Sequence, residues 1–379
     1  MREEVTGRAV AAGVSAAVLG YASSVAVVVA GLSAVGASSG QVGSALVAVG
    51  VVMGVTSVLL SARTRVPVSV VWSTPGLALL VGVGPLPGGF AVVVGAFLVA
   101  AVLVVLTGLV RPLTRAVARL PQALTAAVLA GVLLPFCLAP VQAVADLPPQ
   151  AGAVVAVWVL AQRLAPSASA PLALVALLVV VALDGALPPV DRVVPTVELV
   201  GPSLSWEAVL RIALPVYLVT MAGQNLVGLA VLQANDYRAP VGTLLVGTGV
   251  ASAAAAPLGA PTVNLAAITG ALTAGPQAHP DPARRWVAAA AAGLSYLVLA
   301  ALAPLTSTLV TGVDERLVAT AAGLALVGAF TASAATALRD EGTRLPAAAT
   351  LLVTASGVSG GAAIGLLVGG ALLLLGSRR

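Results

Sequence analysis

Apolar runs recur along this chain from Arg8 to Leu375, and no polar domain comes between them. At about 20 residues per membrane-crossing helix, the pattern predicts spans at 10–32, 42–61, 66–83, 88–109, 120–141, 150–164, 169–187, 208–232, 241–257, 258–274, 285–304, 317–335, 345–358 and 360–376. The expected fold class is an all-α polytopic membrane protein of about 14 transmembrane helices. Two segments break the pattern. Pro67-Val-Ser-Val-Val-Trp-Ser-Thr-Pro-Gly76 and Ala256-Pro-Leu-Gly-Ala-Pro-Thr-Val-Asn264 put proline, glycine and small hydroxyl residues at membrane depth. Backbone groups freed there are tolerated only where they line a cavity or find partners in the protein.

The longest non-apolar stretch, Leu187 to Trp206, carries Pro188, Pro189, Asp191, Pro195, Glu198 and Pro202. It reads as an external linker between two halves of seven helices, residues 1–190 and 191–379. An odd number of spans per half inverts the second half relative to the first. The third span then pairs with the tenth, and both are the broken ones. The first pairs with the eighth, and both are polar mid-span: Tyr21, Ser23 and Ser24 against Gln224 and Asn225. Interrupted segments in matching positions point to the central site of a secondary transporter.

Composition supports the membrane class. Hydrophobic residues make up 60%, charged residues 8%, and mean hydropathy is +1.11, where a soluble domain carries about 25% charged residues. The first eight residues, with Glu3 and Glu4, are too short and acidic for a signal peptide, so the first apolar stretch should stay as a helix. All 18 basic residues are arginine, placed singly or in twos at segment ends, so the net charge of +5 records topology and no nucleic-acid patch. With a cytoplasmic N-terminus, 15 arginines fall in inside loops, while Arg192, Arg211 and Arg316 fall outside. That bias puts both termini in the cytoplasm. Cys137 and His279 are the only residues of their kinds, which leaves no disulfide framework, no metal site and no cofactor to expect.

Other motifs are less informative. Gly36-Ala-Ser-Ser-Gly40 and Gly357-Val-Ser-Gly360 match hydrolase patterns, but each needs a base within reach, and His279 is expected in a cytoplasmic loop. An enzyme is not expected. Gly50-Val-Val-Met-Gly54 and Gly361-Ala-Ala-Ile-Gly365 are small-residue helix contacts. A channel would need continuous polar stripes, and none is present.

Pro67 to Trp72 suits an extended strand leading to a half-helix with Thr74 as N-cap and Pro75 at its first position. In the second half, Ala256 to Ala260 should be extended, Pro261 should open the other half-helix, and Asn264 should lie in its first turn. Two facing helix N-termini favour a carboxylate; the alternative is that these prolines only kink ordinary helices. Gln224 and Asn225 either face the substrate or tie helices together. No Asp, Glu, Lys, Arg or His falls mid-span. Glu207 and Arg211, four apart at the outer end of the eighth helix, come nearest, either as a plain i,i+4 pair or with Glu207 as the proton-coupling group.

Trp72-Ser-Thr-Pro-Gly76, Gly223-Gln-Asn-Leu226 with Gly228-Leu-Ala-Val-Leu232, and Asn264-Leu-Ala-Ala-Ile-Thr269 leading to Ala278-His-Pro-Asp-Pro282 and Arg284-Arg285 resemble the benzoate membrane transport family, the BenE-type benzoate/proton symporters. The similarity covers nearly the whole chain. It implies a fold similar to that of the nucleobase–ascorbate transporters: two inverted seven-helix repeats, interleaved core and gate domains, often a homodimer, in the bacterial cytoplasmic (inner) membrane. It also implies uptake of an aromatic carboxylate such as benzoate with protons. Carried over by motif, Trp72, Ser73, Thr74, Gln224, Asn225, Thr262 and Asn264 would line the site, with Tyr21 and Ser24 added from the repeat. The nucleobase relatives carry a buried glutamate around Gln224, which here is an amide. A same-fold carrier of a nucleobase or another organic anion is the rival reading.

Overall fold

A computed structural model describes residues 2–118, 121–185, 197–358 and 361–376. Arg119, the linker positions Pro188, Pro189, Asp191, Arg192 and Pro195, Ser359 and Gly360 of the second hydrolase-like motif, and Arg378 and Arg379 lie outside the described residues. The helices are α1 (Arg2–Ala34), α2 (Ser39–Thr64), α3 (Thr74–Val81), α4 (Phe90–Leu109), α5 (Arg111–Ala118), α6 (Gln122–Asp146), α7 (Pro148–Leu164), α8 (Ser169–Leu183), α9 (Trp206–Ala234), α10 (Val241–Ala255), α11 (Ile268–Ala274), α12 (Trp286–Ala301), α13 (Ala303–Thr311), α14 (Glu315–Ala337), α15 (Glu341–Ala355) and α16 (Gly361–Gly376). Two short strands, β1 (Val70–Trp72) and β2 (Val263–Leu265), precede α3 and α11. Among the described residues, 8 helices are long and apolar enough to cross a membrane, or 9 when the bent pair α12–α13 counts as one.

Local chemistry explains where the elements begin and bend. Ser38 caps α2: its hydroxyl accepts from the Gln41 N–H at 3.2 Å, and the Gln41 side chain accepts from the Ser38 N–H at 2.9 Å. The serine of the first hydrolase-like motif is thus a helix cap. Pro304, in the first turn of α13, accompanies the 59° bend at the end of the 285–304 span. In α9 the regular helix is interrupted by two π-helical segments, Val209–Ala213 and Met221–Asn225.

Packing joins α2 to α12, α4 to α10, α1 to α3, α12 and α14, and α6 to α14 and α15. Gly54 and Gly293 make the α2–α12 contact possible. A Cβ on Gly54 would stand 2.7 Å from the Gly293 carbonyl, and one on Gly293 would stand 2.8 Å from the Gly54 carbonyl. The Gly50–Gly54 pair therefore serves close helix approach. The described part of the linker is tied to the helix ends. The Ser44 hydroxyl meets the Glu198 backbone, Val200 N–H donates to the Pro257 carbonyl at 2.7 Å, and Ser203 N–H donates to the Ala91 carbonyl at 3.0 Å.

The two broken segments meet as an antiparallel pair with Val70 opposite Leu265, Val71 opposite Asn264 and Trp72 opposite Val263. Two details depart from expectation. The N-cap of α3 is Ser73, with Thr74 and Pro75 inside the helix, because the Ser73 hydroxyl is the one that reaches the Gly76 N–H, at 3.2 Å. In the second half, Ala256–Leu258 forms a 3-10 turn closed by Gly259 at φ 78°, Asn264 lies on β2, and α11 starts only at Ile268. The left-handed turn at Gly259 postpones the extended segment beyond Pro261.

A two-stranded ribbon leaves outward-facing backbone groups that need partners. Helix hydroxyls supply them. Ser57 accepts from the Val70 N–H at 2.9 Å, Ser61 from the Val68 N–H at 3.1 Å, and Ser252 from the Val263 N–H at 2.9 Å. Replacing Ser252 with alanine leaves a buried donor unsatisfied, so it should cost about 1–3 kcal/mol, whereas Thr331→Ala on an exposed helix face should be nearly neutral. Thermal unfolding of both variants in detergent checks this.

Candidate functional site

The ribbon and the helices against it gather most of the predicted residues. The Trp72 indole N–H donates to the Ser24 hydroxyl at 3.0 Å, and the Trp72 ring lies 5.1 Å from that of Tyr21 at an interplanar angle of 55°. Ser24 itself donates to the Gly20 carbonyl, one turn back in α1, at 2.8 Å. The Ser73 and Thr220 hydroxyls share a hydrogen bond of 2.6 Å, and the Ser73 N–H donates to the Thr262 carbonyl at 3.1 Å. Tyr21, Ser24, Trp72, Ser73 and Thr262 therefore surround one end of the ribbon.

Helix α9 spans the ribbon. Thr220 holds Ser73 at one end, and Asn225 accepts from the Leu265 N–H at 2.9 Å at the other. Close approach of β2 to α9 requires Gly228, where a Cβ would stand 2.8 Å from Leu265 Cβ. The π-helical segment Met221–Asn225 shifts the register of the helix between these contacts, a distortion that recurs at functional sites. The Asn225 amide nitrogen donates to the Met221 sulfur at 3.2 Å. Through the Leu265 N–H, Asn225 ties α9 to strand β2. Gln224 is half-buried and its side chain makes no hydrogen bond among the described residues; Thr74 is the same.

Two site atoms are buried without a hydrogen-bond partner: the Thr262 hydroxyl and the Asn264 side-chain oxygen; the Tyr21 hydroxyl is buried facing Thr306. The Asn264 amide nitrogen donates to the Leu265 carbonyl at 2.9 Å, which fixes the amide orientation and leaves the oxygen as the free acceptor. Buried polar atoms rarely go unpaired, so a polar ligand group or water belongs beside these two.

No ionisable side chain other than the Tyr21 phenol stands among these residues. Glu207 lies seventeen positions before Gln224 on α9, more than about 20 Å along the axis at helical rise, and it pairs with Arg211 at 2.7 Å. His279 lies in the loop between α11 and α12 and is buried there: its Nδ1 accepts from the Asp281 N–H at 2.9 Å. Beside it, buried Arg285 donates to the Ala274 and His279 carbonyls at 2.9 and 2.7 Å, placing a cation at the C-terminal end of α11. Sequence reasoning missed Thr220, the two π segments and the serines that hold the ribbon. The serines were visible as Ser57 and Ser61, one helical turn apart in an otherwise apolar run.

A profile of the family described as benzoate membrane transport protein matches residues 3–375. The chain belongs to the benzoate membrane transport family. It is a membrane transporter, not an enzyme. It is 39% identical over 373 residues to the inner membrane protein YdcO of Escherichia coli (strain K12), covering 95% of this chain and 93% of that one. It is also 32% identical over 313 residues to the benzoate membrane transport protein of Acinetobacter baylyi, covering 82% and 79%. Among solved structures, the transmembrane domain of the cyanobacterial bicarbonate transporter BicA superposes with a TM-score of 0.63 over 96% of both chains. At 15% identity that likeness is one of fold.

The contrast between the neighbouring amides gives a direct check. Asn225→Ala should lower stability by about 1–3 kcal/mol through the orphaned Leu265 N–H, while Gln224→Ala should melt like the parent protein. Equal melting of the two variants in detergent would remove the structural role of Asn225.

Proposed function

We propose that this member of the benzoate membrane transport family is a proton-coupled, alternating-access carrier for benzoate or a similar aromatic carboxylate, and that the cargo crosses as the neutral acid. The observation that carries this is the pair of unpartnered atoms, on Thr262 and Asn264, at a ribbon without fixed charge. The Thr262 hydroxyl can donate to a carbonyl oxygen. The unpaired Asn264 oxygen is an acceptor, and a carboxylate has no hydrogen to give it, whereas a carboxylic acid has one. An unpaired carboxylate would also be far costlier to bury than the protonated form. The proton then rides on the cargo, which supplies the coupling without a buried acid. Thr74 and Gln224, half-buried with unbonded side chains, can complete the polar end, and the surrounding valines and leucines suit the ring.

The reading includes fourteen spans in two inverted repeats, residues 1–190 and 191–379, both termini cytoplasmic, with a core carrying the ribbon that moves against a gate. Side-chain detail supports the repeat. Ser57 of α2 holds Val70 of β1, and Ser252 of α10 holds Val263 of β2; these are the second and ninth spans, partners under the inversion.

The test is uptake of labelled benzoate into proteoliposomes under an inward proton gradient, with protein-free vesicles as the control for passive leak. Saturable accumulation abolished by a protonophore is expected. Benzamide, neutral and able to donate to Asn264, should compete; benzenesulfonate, which stays anionic, should not. Competition by the sulfonate alone would overturn neutral-acid recognition, and inhibition by nucleobases alone would favour the rival cargo.

A further inference from the structure

None of the nine predicted site residues lines the cavity of about 280 Å³ that lies beside the C-terminal end of α3. Ala78, Val83 and Pro215 wall it on one side, and Phe136, Ala319 and Thr354 wall it on the other, where α6, α14 and α15 pack together. The volume is close to the lower end of small-molecule sites, about 300 Å³. Its lining is apolar apart from Thr354, whose hydroxyl is buried without a partner, and Arg211, the one charged lining residue. Arg211 donates to the Val83 carbonyl at 2.8 Å and to Glu207 at 2.7 Å, and its side chain stays 23% exposed. Those two bonds leave other N–H donors of the guanidinium unused.

We infer that this cavity is a reception site in which an aromatic carboxylate is held as the anion, its ring against Phe136 and Pro215 and its carboxylate on Arg211 in place of Glu207. The inference rests on the aromatic-carboxylate reading of the cargo and adds a second station to it. The exchange replaces one carboxylate by another on the same guanidinium, a planar fork suited to both. Glu207, with its side chain 46% exposed, can turn to water when displaced. Two stations of opposite preference result: a cation in an apolar cleft for the anion, and an uncharged ribbon for the acid.

Alkylation reads this site separately from transport. In a Cys137→Ser background, Ala139→Cys puts a thiol on the cavity wall. Benzoate should slow its modification by a maleimide when Arg211 or its Arg211→Lys replacement is present, but not in Arg211→Gln. The protection should persist when Gln224→Ala is added at the ribbon. In vesicles, Arg211→Gln should raise the KM for benzoate about tenfold, equivalent to about 1.4 kcal/mol, with Arg211→Lys intermediate and Glu207→Gln lowering KM. Absent protection, equal protection in Arg211→Gln, or protection lost on adding Gln224→Ala would overturn the reception site. Arg211-dependent protection without any uptake would uphold it and sink the transport reading alone.

Discussion

A peptide N–H inside a bilayer has no water to turn to, and the whole centre of this protein is arranged around that fact. Two chain segments leave the helical state and cross as a short antiparallel pair, which exposes donors on both outer edges. Each edge is met from a flanking helix: Ser57 and Ser61 on β1 and the residues before it, Ser252 and Asn225 on β2. A helix can carry a serine at low cost because the hydroxyl has its own i−4 carbonyl to fall back on, as Ser252 does with Thr248 at 2.8 Å. The ribbon is thus fixed from outside. The atoms still unpaired at the ribbon are on Thr262 and Asn264.

This division explains which parts were legible in the sequence. Proline and glycine in the two broken segments announce an irregular backbone whatever the details, so the place where the chain leaves the helical state was legible from residue types alone. Its register did not. Whether Ser73 or Thr74 caps α3 depends on a single hydroxyl reaching Gly76. In the second half the left-handed turn at Gly259 moves the strand down the chain and carries Asn264 out of the helix. The π segments of α9 were invisible for a related reason: a one-residue shift in hydrogen bonding leaves the apolar pattern unchanged, and only the contacts of Thr220 and Asn225 with the two ends of the ribbon demand it. Asn225 shows the limit most plainly. Next to Gln224 in sequence and equally polar, it is turned inward onto the Leu265 N–H, and nothing in the residue types separates the two.

Fixed charge is kept away from the ribbon and placed at helix ends, and that distribution constrains how an acid could cross. Buried Arg285 sits where the carbonyls of α11 end, a position in which the helix dipole favours a cation. Arg211 sits at the C-terminal side of α3, held by the Val83 carbonyl and a nearby carboxylate. A permanent cation at the ribbon would bind a carboxylate tightly in every conformation and resist releasing it. Hydroxyls and one amide oxygen bind a neutral acid with modest, readily broken hydrogen bonds. If the proposed cargo arrives as an anion and crosses as an acid, the step between the cavity and the ribbon must include protonation. The proton gradient then acts on the chemical form of the cargo, and the protein needs only to be uncharged where the cargo is.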